Sequence, residues 1–169
     1  MKTLIIYASK TGTAKKCAAL LAANLGVENC DLCSIYEDIP EISGYDCLII
    51  GSYVRMGVLD KKISSFLSKK REKLLEMPLG IFLCGCFEDK VHEAIIKNFS
   101  EDFLEHALCV DYFGGELHQE SYKGIEKFFV KMIINTSEKD SSFKIETKIH
   151  PEAISAFAKE LQDKIQPSI

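Results

Sequence analysis

The sequence predicts a doubly wound α/β fold: a five-stranded parallel sheet in the order 2-1-3-4-5, with helices on both faces. Three observations carry this. Apolar runs of strand length alternate with helical patterns along the chain, as they do where crossover helices join parallel strands. The central runs are apolar throughout rather than alternating, as strands buried on both faces must be. The connections richest in hydroxyl, glycine and aromatic residues follow the carboxyl ends of those runs, where an open α/β sheet binds its ligand.

Each element has its own signal. Lys2 to Ala8 reads as the first strand. Thr13 to Leu25 reads as a helix with Cys17, Leu20, Leu21 and Leu25 on its apolar face and Gly26 as its stop. Cys30 to Ile35 gives a weaker second strand, and Asp46 to Ile50 a third that ends at Gly51-Ser52. A helix starts near Asp60, turns Ile63, Phe66, Leu67, Leu74 and Leu75 inward, and ends at Pro78. Leu79 to Cys84 is the fourth strand. Glu88 to Asn98 is helical through Val91, Ala94 and Ile95, and Ser100-Glu101-Asp102 caps a further short turn. Ala107 to Phe113 is the fifth strand. Pro151 opens a last helix to Ile165, with Ile154, Phe157, Ala158 and Leu161 facing inward.

The chain is organised around Ser9-Lys10-Thr11-Gly12-Thr13-Ala14, between the first strand and the first helix. A helix start offers free backbone N–H groups and the positive end of a dipole. Ser9, Thr11 and Thr13 add hydroxyls, and Gly12 lets the backbone come close to a ligand. The combination suits a dianionic phosphate. The spacing is neither that of a Walker A loop nor Gly-x-Gly-x-x-Gly. An ordinary capped turn is the plain alternative.

Bulk properties narrow the field. At 169 residues, 1–169 reads as a single domain with room for a full core. A hydrophobic content of 47% argues against disorder, and a net charge of -4 gives no case for nucleic acid. No secretory signal and no bilayer-length apolar run is evident, so a cytoplasmic setting with reduced thiols is expected for the seven cysteines. Cys30-Asp31-Leu32-Cys33 lies in a strand rather than at a helix start, and Cys84 and Cys86 have no histidine cluster beside them. All seven read as small buried residues, and no metal site is expected.

Two further strand ends carry candidate ligand walls. Ser52-Tyr53-Val54-Arg55-Met56-Gly57 follows the third strand, and Gly85-Cys86-Phe87-Glu88-Asp89 follows the fourth. A flat heterocycle needs apolar walls and a few edge groups. Tyr53 or Phe87 could stack on it, and Arg55 could sit at its edge, hold a substrate carboxylate, or simply pair with a surface acid. A receiver domain is discounted, because Tyr7-Ala8-Ser9 lacks the acidic residues such a site needs after the first strand.

These stretches together resemble the flavodoxin-domain family, and within it the quinone-dependent protoporphyrinogen oxidases. The likeness runs through Leu4–Ala14, Tyr45–Gly57, Met77-Pro78 and Phe113-Gly114-Gly115-Glu116-Leu117. It implies a flavodoxin-like fold and bound FMN. It carries cofactor contacts to Ser9, Lys10, Thr11, Gly12, Thr13 and Ala14, then to Ser52, Tyr53, Val54, Arg55, Met56 and Gly57, and to Gly85, Cys86 and Phe87. Arg55 is the candidate catalytic residue. Thr11-Gly12-Thr13 is closer to ordinary flavodoxins than to the oxidases, which commonly carry Arg-Asp at the positions of Lys10 and Thr11. Electron carrier, oxidase and non-catalytic binding module therefore stay open, with a redox protein or a quinone as partner.

About 116–149 reads as an insert before the last helix, longer than an ordinary connection. Within it, Tyr122 to Ile134 sets Ile125, Phe128, Phe129, Met132 and Ile133 on one helical face. That face can cover the core, meet a hydrophobic substrate or the inner membrane surface, or join two copies in a homodimer.

Overall fold

The computed structural model describes residues 1–86, 88–116 and 148–165. Phe87 and the amphipathic stretch Tyr122–Ile134 lie outside them. The described elements are β1 (Thr3–Ala8), α1 (Thr13–Leu25), β2 (Cys30–Ser34), β3 (Cys47–Arg55), β4 (Val58–Leu59), α2 (Lys61–Lys69), α3 (Arg71–Leu74), β5 (Leu79–Cys84), α4 (Val91–Asn98), α5 (Glu101–His106), β6 (Cys109–Tyr112) and α6 (Pro151–Ile165). Five strands lie parallel in the order β2-β1-β3-β5-β6, the expected doubly wound arrangement, and β4 adds an antiparallel pair to β3.

The register follows from burial on both faces. Leu4, Ile5 and Ile6 of β1 face Leu48, Ile49 and Ile50 of β3, and all are almost wholly buried. Alternate residues feed two cores. One face is covered by α1 and α6, whose Leu21, Ile154, Phe157 and Leu161 pack on Ile5, Ile49 and Phe82. The other is covered by α2 to α5 through Ile63, Leu67, Leu74, Phe99 and Phe103. Phe82 stacks on Phe113 at 4.8 Å, and Phe157 meets Phe113 edge-on at 5.3 Å, so three rings fasten α6 to the β5–β6 side of the sheet.

Two elements differ from the sequence expectation. β3 does not stop at Gly51-Ser52. Gly51 lies opposite Phe82, and a Cβ at Gly51 would come within 2.0 Å of that ring, so glycine here fills a packing need rather than ending a strand. β3 runs on through Arg55, turns at Met56 and Gly57, and returns as β4. The expected single helix from Asp60 is two, because the backbone at Lys70 (φ -108, ψ 11) leaves helical geometry between α2 and α3.

Candidate functional site

The site begins where β1 gives way to α1. Gly12 sits at φ 96 and ψ -19, a left-handed conformation that glycine adopts without steric cost. Its N–H donates to Ser9 Oγ at 3.1 Å, and its carbonyl accepts the first α1 bond from Lys16 N at 2.9 Å. No side chain caps the helix. The first-turn amides therefore have no partner within α1 and no cap, at the positive end of the dipole. Thr11 Oγ1 and Thr13 Oγ1 lie 3.4 Å apart beside them. An anion placed here meets backbone donors and hydroxyls without displacing a side chain.

This seat opens into a groove. Lys10, Thr11 and Thr13 line one end, Tyr53, Val54 and Arg55 one side, and Cys84, Gly85 and Cys86 the other, with Gly115 and Glu116 closing it. A second, more apolar cleft continues from the shared residues Val54, Gly85 and Cys86. It runs between Met56 and Gly57 of the β3–β4 turn and Lys90, Val91, Ala94 and Lys97. Val54, Met56 and Gly57 of one candidate wall thus share a cleft with Gly85 and Cys86 of the other.

The sequence-derived residues do not all play one part. Lys10, Thr11, Thr13, Tyr53, Val54, Arg55, Gly85 and Cys86 line the groove, and Met56 and Gly57 line the cleft. Ser9 and Gly12 shape the loop by binding one another. The Ala14 side chain is buried. Ser52 is 0% exposed and works below the surface, donating to Tyr53 O at 2.9 Å and accepting from Asp60 N at 3.3 Å.

Tyr53 is held rather than free to swing. Its hydroxyl donates to Asp60 Oδ2 at 2.8 Å, and Tyr36 donates to the same oxygen at 2.6 Å. Lys62 N donates to Asp60 Oδ1 at 2.8 Å, so Asp60 also caps α2. Burial acts to raise the Asp60 carboxyl, but the two phenols and the amides of Lys62 and Ile63 outweigh it and leave it below its ordinary range. Burial and the Asp60 bond push the Tyr53 phenol up, so it stays a protonated donor.

Asp60, Asn98 and the Gly114–Glu116 corner contribute to the site without having been singled out as site residues. Asp60 and Asn98 carry helix-terminus signals in the sequence, and their second partners come from distant segments. Glu116 Oε1 accepts from Lys16 Nζ at 2.8 Å, across the groove end from the first turn of α1. The described cysteines are free thiols. Cys84, hydrogen-bonded with Cys17 and buried, is held well above the usual thiol range, and burial pushes Cys47 and Cys109 up to about 12. Among the described residues no group of His, Cys, Asp and Glu is placed to hold a metal ion.

Fold and groove together define a doubly wound α/β protein with an uncapped, hydroxyl-lined helix start at its first crossover. A family model for the flavodoxin domain matches residues 4–144, and the chain belongs to that family. Over its full length it is similar to the Escherichia coli K12 protein named protoporphyrinogen IX dehydrogenase [quinone]. The two are 23% identical over 173 residues, covering 95% of this chain and 94% of that one. Among solved structures it resembles a flavodoxin from the domain Archaea (TM-score 0.57, 12% identity, 98% of this chain and 99% of that one). It also resembles oxidised flavodoxin 1 of Bacillus cereus (TM-score 0.55, 16% identity, 95% and 97%). A Fusobacterium nucleatum flavodoxin bound to flavin mononucleotide aligns at TM-score 0.50 with 14% identity, covering 98% of this chain and 100% of that one. At these identities the structural likeness is one of fold.

Proposed function

We propose that this chain is an FMN-binding redox protein of the flavodoxin type. The observation that carries the reading is continuity: an uncapped, hydroxyl-lined helix start opens into a groove that leads to an apolar cleft between two strand-end walls. The parts fit a phosphate monoester joined to a flat ring. Gly12 and the α1 amides, with Thr11 and Thr13, would hold the phosphate. Tyr53 and Val54 with Gly85 and Cys86 would flank the ring. Bound FMN supplies a ring that accepts and returns electrons. Arg55, at the groove edge, would favour negative charge on the reduced ring or hold an acidic donor. The test is the visible spectrum of purified protein, followed by titration of the apoprotein with FMN. A colourless protein that leaves FMN fluorescence unchanged refutes the reading. Arg55→Gln is expected to shift the flavin midpoint or raise the Michaelis constant for the donor; no change in either returns Arg55 to a surface role.

The end-to-end likeness to the Escherichia coli enzyme favours a second reading, a quinone-dependent oxidase acting on protoporphyrinogen. Turnover of that substrate with a menaquinone analogue separates an enzyme from a carrier that serves another protein. Among the described residues no helix is long and apolar enough to cross a membrane. Contact with a quinone-bearing membrane would be peripheral, through Tyr122–Ile134, whose sequence is too short and too charged to span a bilayer. Phe128→Ser with Phe129→Ser tests it: liposome binding or quinone turnover falls while stability holds. A lower melting temperature with unchanged turnover assigns the stretch to core covering, and a changed oligomeric state assigns it to a dimer contact.

A further inference from the structure

The two walls of the apolar cleft are tied together at one residue. Asn98, the last residue of α4, is half-buried behind the β3–β4 turn. Its Nδ2 donates to Gly57 O at 2.8 Å and to Ala94 O at 2.7 Å. Its Oδ1 accepts from Leu59 N at 3.2 Å. One amide thus binds the turn on both sides of Val58 and closes back onto its own helix. The orientation is set by chemistry: turned over, the carbonyl would face two carbonyl oxygens and the amino group would face an N–H.

The turn needs such a tie. β4 is only Val58 and Leu59, paired with Arg55 and Val54. Beyond Tyr53, β3 has no parallel partner, since β1 reaches Ser52 and β5 reaches Tyr53. A two-residue ladder at the end of an overhanging strand is weakly held. Met56 and Gly57, which line one wall, both have positive φ (53 and 74), so the turn is of the tight primed kind whose shape follows its two strands. The opposite wall is α4, through Val91, Ala94 and Lys97. Beside the packing of buried Leu59 in the core it shares with Val91, Asn98 is therefore the hydrogen-bonded tie between the walls.

We infer that Asn98 is a positioning residue that fixes the width of the cleft and so sets how tightly the flavin ring is gripped. The inference rests on the FMN reading. It separates ring from phosphate: Asn98 touches the cleft walls and not the Ser9–Ala14 seat. Riboflavin, which lacks the phosphate, isolates the ring contribution.

The experiment titrates full-length apoprotein with FMN and with riboflavin, following flavin fluorescence, for the wild type, Asn98→Ala and Asn98→Asp. Asp keeps the acceptor for Leu59 N but turns a carboxylate oxygen toward Gly57 O and Ala94 O, so it is the harsher change, and circular dichroism of both variants checks that they are folded before titration. Either variant is expected to weaken both ligands by the same factor, about tenfold, the scale of a lost hydrogen bond. The visible band of bound flavin should also move toward its shape in water. Folded variants with wild-type affinities and band shape overturn the inference, whatever happens to the melting temperature. A loss confined to FMN also overturns it, because the effect would then lie at the phosphate seat. If the wild type binds neither ligand, the FMN reading itself falls.

Discussion

At the scale of single residues, the site depends on hydroxyls and on one buried carboxylate. Thr11 and Thr13 present Oγ1 atoms 3.4 Å apart at an uncapped helix start. Hydrogen bonds to a charged group are worth about 1.5–3 kcal/mol each. Replacing both threonines by valine is therefore expected to weaken FMN strongly and to spare riboflavin; equal affinities for FMN before and after would place the phosphate elsewhere. Asp60 predicts a pH response. Its carboxyl is depressed in the fold, so the stability it adds is complete above its unfolded value near 4 and is lost as pH falls through the lower folded value. Melting temperature followed from about pH 5 downward should fall less steeply for Asp60→Asn than for the wild type. The proposed phosphate seat rests on contiguous residues, so its uncapped, hydroxyl-lined helix start was legible in the sequence. Asp60 was legible only as a helix start, since Tyr36 and Tyr53, which share its oxygen, come from different strands' ends. Five cysteines are buried as the local pattern suggested, but Cys30 and Cys86 are only half-buried, because one opens the edge strand β2 and the other lies past the end of β5.

At the scale of elements, the β3–β4 turn is the part that sequence reading rendered as a loop. Asn-Gly or Asp-Gly announces a primed two-residue turn. Met56-Gly57 does not, because methionine rarely accepts positive φ, yet here it stands at φ 53 with 78% of its surface exposed. Strain and exposure together at one residue of a candidate ligand wall motivate the prediction that Met56 is kept for contact rather than for stability. Met56→Asn should raise the melting temperature of the apoprotein by relieving about 1 kcal/mol of left-handed strain, and lower flavin affinity. A variant with both properties unchanged would remove the argument. The last helix shows the opposite case: Pro151–Ile165 begins and ends where the sequence placed it, because Pro151 and an inward stripe of Ile154, Phe157, Ala158 and Leu161 fix both start and face.

At the scale of the molecule, two cores on either side of one sheet hold the strand ends in place. The Phe82–Phe113–Phe157 cluster is the joint of the α1–α6 side. Phe157 is 1% exposed, so Phe157→Ala should cost about 3–5 kcal/mol, read as a shift of the urea midpoint with little change in slope. An unchanged midpoint would mean that α6 is not structurally required. The parallel sheet was legible because unbroken apolar runs suit strands covered on both faces, whereas the strand order came from the flavodoxin-like pattern those strands fit. Less legible was how the chain leaves and rejoins that sheet. Gly115 N donates to Lys148 O at 3.1 Å, His150 N donates to Phe113 O at 3.0 Å, and Gly114 pairs antiparallel with Ile149. Departure and return are thus stitched side by side at one port, and we expect 117–147 to behave as a cassette between them. Such a port would let the intervening stretch be shortened without moving its two ends. Joining Glu116 to Lys148 through a short Asn-Gly turn should leave a folded protein that still takes up FMN and has shed only what the cassette adds. A deletion variant that cannot fold would show instead that the cassette is part of the frame.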